Sequence, residues 1–332
     1  HAHGQGYADM HFVIPETIEK YSFETGPHRT EKGNLATAGS VDFKTKNSIE
    51  KSMGLLEFGS YDYYRALAMV KVLGENSHLF SKNKEDLYLA GEYAASNGYF
   101  DSKQKFSRLN VFGKYFGALS SKTILSVSGS TFYSHWDASG QIPERAVEEN
   151  LIGRFGGIDN TEGGNTYRTN FNLNLMNSLS SNSSLTNQIY FSSYGFNLYS
   201  NFTFFLNDPV NGDQINQFEN RNIFGYKGTY SFLGQIGNVN LNTSFGIGAR
   251  IDDIDTIHLA HTRERSFLNY YEAGKILVQD YFAYMDESIE AGDFVINPGV
   301  RIDYFDFDLT DDLNSSNSGS VSAVRIGPKL NL

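Results

Sequence analysis

The feature that most constrains this chain is long, strict alternation of apolar and polar residues. Between Tyr167 and Met176, residues Tyr167, Thr169, Phe171, Leu173 and Leu175 share one face. Arg168, Asn170, Asn172, Asn174 and Met176 share the other. From residue 239 onward, Val239, Leu241, Thr243, Phe245, Ile247, Ala249 and Ile251 alternate with Asn240, Asn242, Ser244, Gly246, Gly248, Arg250 and Asp252. Further on, Phe294, Ile296, Pro298, Val300, Ile302 and Tyr304 oppose Asn297, Gly299, Arg301 and Asp303. A period of two residues is the mark of a β-strand. With Arg and Asp on the polar face, that face must meet water or a polar lumen.

Run length narrows the choice. A globular strand is typically about 5 to 6 residues, whereas a tilted strand crossing a bilayer needs about 9 to 11. The runs here extend over about 10 to 15 residues, which favours a membrane barrel over a soluble sandwich. Short turns at Leu119–Thr123, Leu179–Leu185, Leu233–Val239 and Ile289–Phe294 alternate with long polar connections at Trp136–Asn165, Asn207–Gln217 and about Asp253–Tyr270. Such segregation of turns and loops is what outer-membrane barrels show. The pattern predicts about twelve strands, at 52–60, 62–74, 85–97, 106–119, 123–135, 166–179, 184–200, 217–233, 239–253, 275–290, 292–308 and 320–332.

Composition agrees. The chain has 21 Tyr, 26 Phe and 32 Gly but only 6 Pro; aromatics favour strands, while glycine suits turns. No run of about 18 apolar residues exists for a membrane helix. The net charge of -11 argues against nucleic acid as a partner, because that needs a basic face. The absence of cysteine excludes disulfides, zinc–thiolate sites and a cysteine nucleophile. Residues 1–46 read differently, as a small mixed α/β unit. A brief strand near Met10–Val13, a helical turn at Pro15–Glu19, a strand at Glu19–Glu24 and a last strand at Gly39–Lys44 are expected. The unit is too short for a core of its own, so it is expected either to be the tail of a domain or to pack inside something else.

Particular residues then carry a resemblance. Ile18, Glu19, Phe23, Gly26 and Pro27, followed by Gly39, Val41, Phe43, Thr45 and Lys46, resemble the end of the plug domain of TonB-dependent outer-membrane receptors. Gly59, Ser60, Tyr61 and Arg65 resemble that family's first barrel hairpin, and the strand around Pro298–Phe305 resembles a mid-barrel strand. The resemblance implies an all-β fold: a transmembrane antiparallel β-barrel, part of a 22-stranded one, with a small α+β plug remnant. Residues 1–46 would be the C-terminal part of the plug and 47–332 the first part of the barrel. On this reading the chain is an internal fragment, with the start of the plug and the end of the barrel lying outside it.

What the resemblance implies about function is active uptake of a scarce solute: a siderophore, metal chelate, vitamin or glycan. The ligand would sit between the plug's apical loops and the extracellular barrel loops. TonB, acting through an upstream segment, would supply the energy, and outer-membrane lipid and lipopolysaccharide would surround the wall. No catalytic residue and no cofactor is expected. A passive porin-like channel and a soluble carbohydrate-binding barrel or sandwich are the other readings.

The opening stretch precedes the plug strand, so His1, His3, Gln5, Tyr7 and Asp9 are candidate ligand contacts. Histidine suits copper, zinc, nickel or iron, but a metal site, contact with a transported ligand and plug–barrel packing all remain open for it. Trp136, Arg145 and Arg154 lie on a predicted extracellular loop and are the residue types that anchor recognition surfaces. His258 and His261 read as solvated loop histidines rather than a metal pair, and Asp306, Asp308, Asp311 and Asp312 as a solvated strand end.

Overall fold

The computed structural model describes residues 9–74, 77–81 and 83–331. Two strands, β1 (Ile18–Thr25) and β2 (Gly39–Thr45), form a small antiparallel sheet. Twelve more form one antiparallel sheet in strict sequence order: β3 (Met53–Gly59), β4 (Tyr63–Leu73), β5 (Glu85–Ser96), β6 (Phe106–Ala118), β7 (Thr123–Asp137), β8 (Gly163–Ser178), β9 (Ser183–Ser200), β10 (Ile215–Ile236), β11 (Val239–Arg263), β12 (Ser266–Ala291), β13 (Phe294–Asp311) and β14 (Gly319–Asn331). Every neighbour is a hairpin partner, and β3 and β14 are the two edges of the sheet. All twelve expected strands are found, and the mixed α/β start and all-β wall are as expected.

The alternation separates two environments. The outward face carries Tyr167, Phe171, Phe224, Phe245, Ile247, Val300 and Ile302, all exposed. The inward face of the same strands carries charge, with Arg221, Asp252, Arg301 and Asp303 largely buried. Arg250 Nε donates to Asp252 Oδ1 at 2.8 Å, and Arg301 Nε to Asp303 Oδ1 at 2.7 Å. A sheet apolar outside and ion-paired inside is the wall of a membrane barrel. Glycine serves this wall by admitting rings: a Cβ on Gly246 would stand 2.0 Å from the Tyr284 ring, and one on Gly225 2.0 Å from Tyr190. Such close approach requires the missing side chain.

Four turns at one end are tight, at residues 119–122, 179–182, 237–238 and 292–293, while the β4–β5 connection there, 74–84, is longer. At the other end lie the long connections 97–105, 138–162 and 201–214; the second contains a short helix, α1 (Glu144–Glu148). One expectation fails here. Asp253–Tyr270 is not a loop: β11 has 25 residues and β12 has 26, and only Glu264 and Arg265 separate them. Both turn residues have positive φ, 49° and 66°, the geometry of a tight hairpin turn that normally calls for Asn or Gly. Glu-Arg carries no such signal, and the strained turn is held by bonds from neighbouring loops described below. The expected strand at Met10–Val13 is also absent. That stretch is a turn closed by Val13 N–H on Met10 O at 3.1 Å, with the Asp9 carboxylate taking the His11 N–H at 2.9 Å. Local side-chain bonds of this kind compete with strand pairing.

The segment 9–46 lies against the inner wall. Its Ile14, with Ile49, packs on Leu67, Met69, Tyr88 and Ala90 of β4 and β5, the main apolar cluster of the molecule. Its Glu16 receives two bonds from Arg65, at 2.6 and 2.8 Å. Asn110 Nδ2 donates to His11 O, Lys114 Nζ to Thr45 O and Tyr88 Oη to Lys46 O, at 2.9, 2.9 and 3.0 Å. On the far side, Thr30 Oγ1 donates to Asp286 at 2.8 Å, Asn331 Nδ2 to His28 O at 3.1 Å, and Lys329 to Pro27 O. The segment thus bridges both ends of the open sheet.

Candidate functional site

A cavity of about 730 Å³ opens where the turn at residues 9–14 meets the long-loop end of the wall. Asp9, Met10 and His11 line it from the inner segment, and Phe106, Trp136 and Phe196 from β6, β7 and β9. The turn is fixed from both sides. His11 Nδ1 is 2.9 Å from Asp9 Oδ1, and the His11 ring lies 5.7 Å from that of Phe106. Burial disfavours the Asp9 charge, but the side-chain and backbone hydrogen bonds from His11 outweigh it and hold the carboxyl below its usual range.

A second cavity of about 740 Å³ adjoins the first through Phe196, which lines both. It lies between the extensions of β10 to β13. Phe196, Tyr271, Glu219, Glu272 and Asp311 line it, and on the opposite face of the same strands Phe218 and His258 are stacked, with centroids 4.9 Å apart and planes 8° apart. Burial disfavours the charged form of His258 and lowers its pKa.

Around both cavities the long connections are tied together. Arg265, at the β11–β12 tip, donates to Thr161 O, Glu162 O and Asp137 Oδ1 at 2.6, 3.0 and 3.0 Å. Gln214 donates to Asp159 and Thr161 while its Oε1 accepts from Thr262 and the Arg265 N–H. Glu162 sits within this junction with its Oε1 buried and unpartnered among the described residues. Burial pushes its carboxyl up to about 7, and Asp159 adds to the rise.

A carboxyl whose folded pKa is raised binds its proton more tightly in the folded state. The junction should therefore be most stable below the ordinary carboxylate range and weaken as pH rises towards about 7. Glu162→Gln is expected to protect amides 157–163 from hydrogen exchange at pH 8, by about 1 to 3 kcal/mol. The gain should shrink towards nothing near pH 4.5, and a gain independent of pH would show that the carboxyl is already neutral or already paired.

No protein-family model matches the sequence, and no curated protein is similar to it. Solved structures do match. The ferric citrate transporter FecA, in its unliganded form, has a TM-score of 0.72 at 13% identity, over 90% of this chain and 44% of its own. The pyoverdine outer membrane receptor FpvA from Pseudomonas aeruginosa PAO1 has a TM-score of 0.72 at 13% identity, over 95% of this chain and 48% of its own. The copper transporter OprC has 0.68 at 12%, over 96% and 48%. This chain has the fold of the TonB-dependent outer-membrane receptors. It spans about half the length of the receptor structures it matches.

Within this receptor fold the sequence candidates separate. Asp9 and Trp136 line one cavity. Arg145, on α1, and Arg154 are exposed and line neither cavity. His1, His3, Gln5 and Tyr7 lie outside the described residues. His258 and His261 are not solvated loop histidines: both stand on β11, His261 is 7% exposed, and its Nε2 is 2.6 Å from Gly212 O. Among the described residues no cluster of three or more His, Asp or Glu could hold a metal. Asp311 instead orders its own turn, accepting the Leu313 and Asn314 N–H groups at 2.9 Å each. Phe196 and Tyr271 were missed as site residues, because aromatics on alternating strands give no sign of which ones the loops enclose.

Proposed function

We propose that the protein is an outer-membrane receptor that takes up a scarce solute with energy supplied through TonB. The ligand rests in the vestibule between Asp9–His11 of the plug segment and the extracellular ends of β6 to β13. The observation that carries this reading is the cavity lined jointly by the plug turn and the wall. A ligand there touches both parts, so movement of the plug would break half of its contacts. A passive channel needs no segment lodged in the lumen by Glu16, Thr30 and Thr45, which favours a gated receptor. The exposed apolar outer face is matched to outer-membrane lipid. Trp136 and Asp9 become ligand contacts on this reading; Arg145 and Arg154 sit too far out on their loop to be more than rim contacts.

The test uses cells making the full-length receptor, offered labelled iron(III) chelates, copper, zinc, cobalamin and oligosaccharides one at a time. Receptor-dependent accumulation of one probe should fall to the receptor-free background when TonB is deleted. Accumulation that persists without TonB would establish the channel reading instead.

A further inference from the structure

We propose that the vestibule takes a positively charged ligand with an apolar body and rejects polyanionic chelates; this rests on the uptake reading above. Its lining sets charge against anions. Asp9 and Asp137 line the first cavity, and Glu219, Glu272 and Asp311 the second, with no Lys or Arg among the described lining residues of either. Cations do stand behind these walls, but each is engaged. Arg265 and Lys105 meet Asp137 at 3.0 and 3.1 Å, and Arg221 Nε lies 2.6 Å from Glu219. The Arg168 guanidinium lies over the Phe12 ring at 4.5 Å while its Nε donates to Asn170 Oδ1.

In the first cavity Lys105 and Arg265 both meet Asp137 and leave no excess; in the second, pairing does not cancel it. There Arg221 answers Glu219, whereas Asp311 is bonded by neutral N–H groups that leave its charge in place. Glu272 lies on the exposed side of β12 and adds a further negative charge. Between the acids stand flat aromatic faces: Trp136, Phe106 and Phe196 in the first cavity, Phe196 and Tyr271 in the second. Ring faces attract cations and bury apolar surface. A cation with an apolar body meets both features at once. A polyanion would lose water against carboxylates with no free cation in reach, the like-charge juxtaposition by which interfaces exclude wrong partners.

The sign of the vestibule's field can be read without knowing the ligand. In the full-length receptor, the fluorescence gained in Tyr271→Trp isolates one indole, which lines the second cavity. Caesium is expected to quench that component about threefold more efficiently than iodide, relative to a free indole. The two should converge in about 1 M salt, where the Debye length is about 3 Å. Iodide quenching as strong as caesium's would overturn the proposal.

A binding arm tests ligand class with two probes of similar size. One is the singly positive iron(III) complex of a linear trihydroxamate bearing a free ammonium; the other is a triply negative iron(III) tris-catecholate. The cationic complex should bind about tenfold more tightly or better, and Glu272→Gln should weaken it about threefold. Tighter binding of the tris-catecholate, or no binding of the cationic complex at millimolar concentration, would overturn the proposal. Neither arm needs TonB. A caesium preference that survives alongside TonB-independent accumulation would refute the uptake reading alone.

Discussion

Arg65→Ala is expected to free the plug segment from the wall while leaving the wall folded. Arg65 is 6% exposed and joins three carboxylates: its Nε meets Glu92 at 2.5 Å, its Nη2 meets Glu16 at 2.6 Å, and its Nη1 meets Glu57 at 3.2 Å. Glu92 is 1% exposed and is also held by Arg108 and Asn110, at 3.0 and 2.9 Å. Among the described residues Glu16 is the plug's one carboxylate in this cluster, and its bonds from Arg65 hold it below the usual carboxylate range. Removing one partner of a buried ion pair costs about 3 to 5 kcal/mol, because the remaining charges stay buried without it.

If the loss falls on the plug's docking, amide protection in β1 and β2 should drop about 100-fold, while β10 to β12 keep theirs. Glu16→Gln, which leaves the wall's own pairs intact, should produce a smaller drop in the same place. Unchanged protection in β1 and β2 would mean that the apolar contact at Ile14, rather than the ion cluster, holds the segment.

Ile247→Arg is expected to destabilise the barrel in lipid by about 2 to 4 kcal/mol, the cost of a basic side chain near the bilayer midplane. Ile247 is 60% exposed and lies on the outward face of β11, opposite Ala283 of β12. Its control is Asn242→Arg on the same strand but the other face, where Asn242 borders a polar cavity with Glu31 and Asp286. That cavity is polar, with Arg29 and Lys227 beside the two acids, so an arginine there keeps its hydration and should cost little. Urea unfolding from lipid vesicles measures both. Equal losses for the two variants would mean that the faces are not lipid and lumen.

The wall was legible because its signal is repeated. Each strand alternates for longer than a soluble strand needs, and tight turns such as Gly237–Asn238 and Gly292–Asp293 carry their own residues. What escaped notice lacked a local cause. The Glu264–Arg265 turn is held by Thr161 and Glu162, from a connection about 100 residues earlier in the chain, and by Asp137 at the end of β7. Nothing within the turn announces it, so the outer halves of β11 and β12 read as loop.

The vestibule was half legible for the same reason. Asp9 and Trp136 stand out by residue type, although Trp136, expected on a loop, lies on β7 paired with Gly164. Phe196 resembles any other strand aromatic until the register encloses it. Arg145 and Arg154 drew attention as loop arginines, but the loop turns both to solvent.

The central claim, that one face of this sheet meets lipid and the other a polar lumen, is open to a direct measurement. The chain has no cysteine, so single cysteines placed at each position from Val239 to Asp252 can carry one spin label each. Accessibility to oxygen and to a water-soluble nickel chelate is then read in lipid vesicles. Oxygen accessibility should peak at Leu241, Thr243, Phe245, Ile247, Ala249 and Ile251 and fall at each residue between, with the nickel chelate excluded at every peak. Labels that report water on both faces, or an accessibility with no period of two, would contradict the membrane wall on which the rest of the account stands.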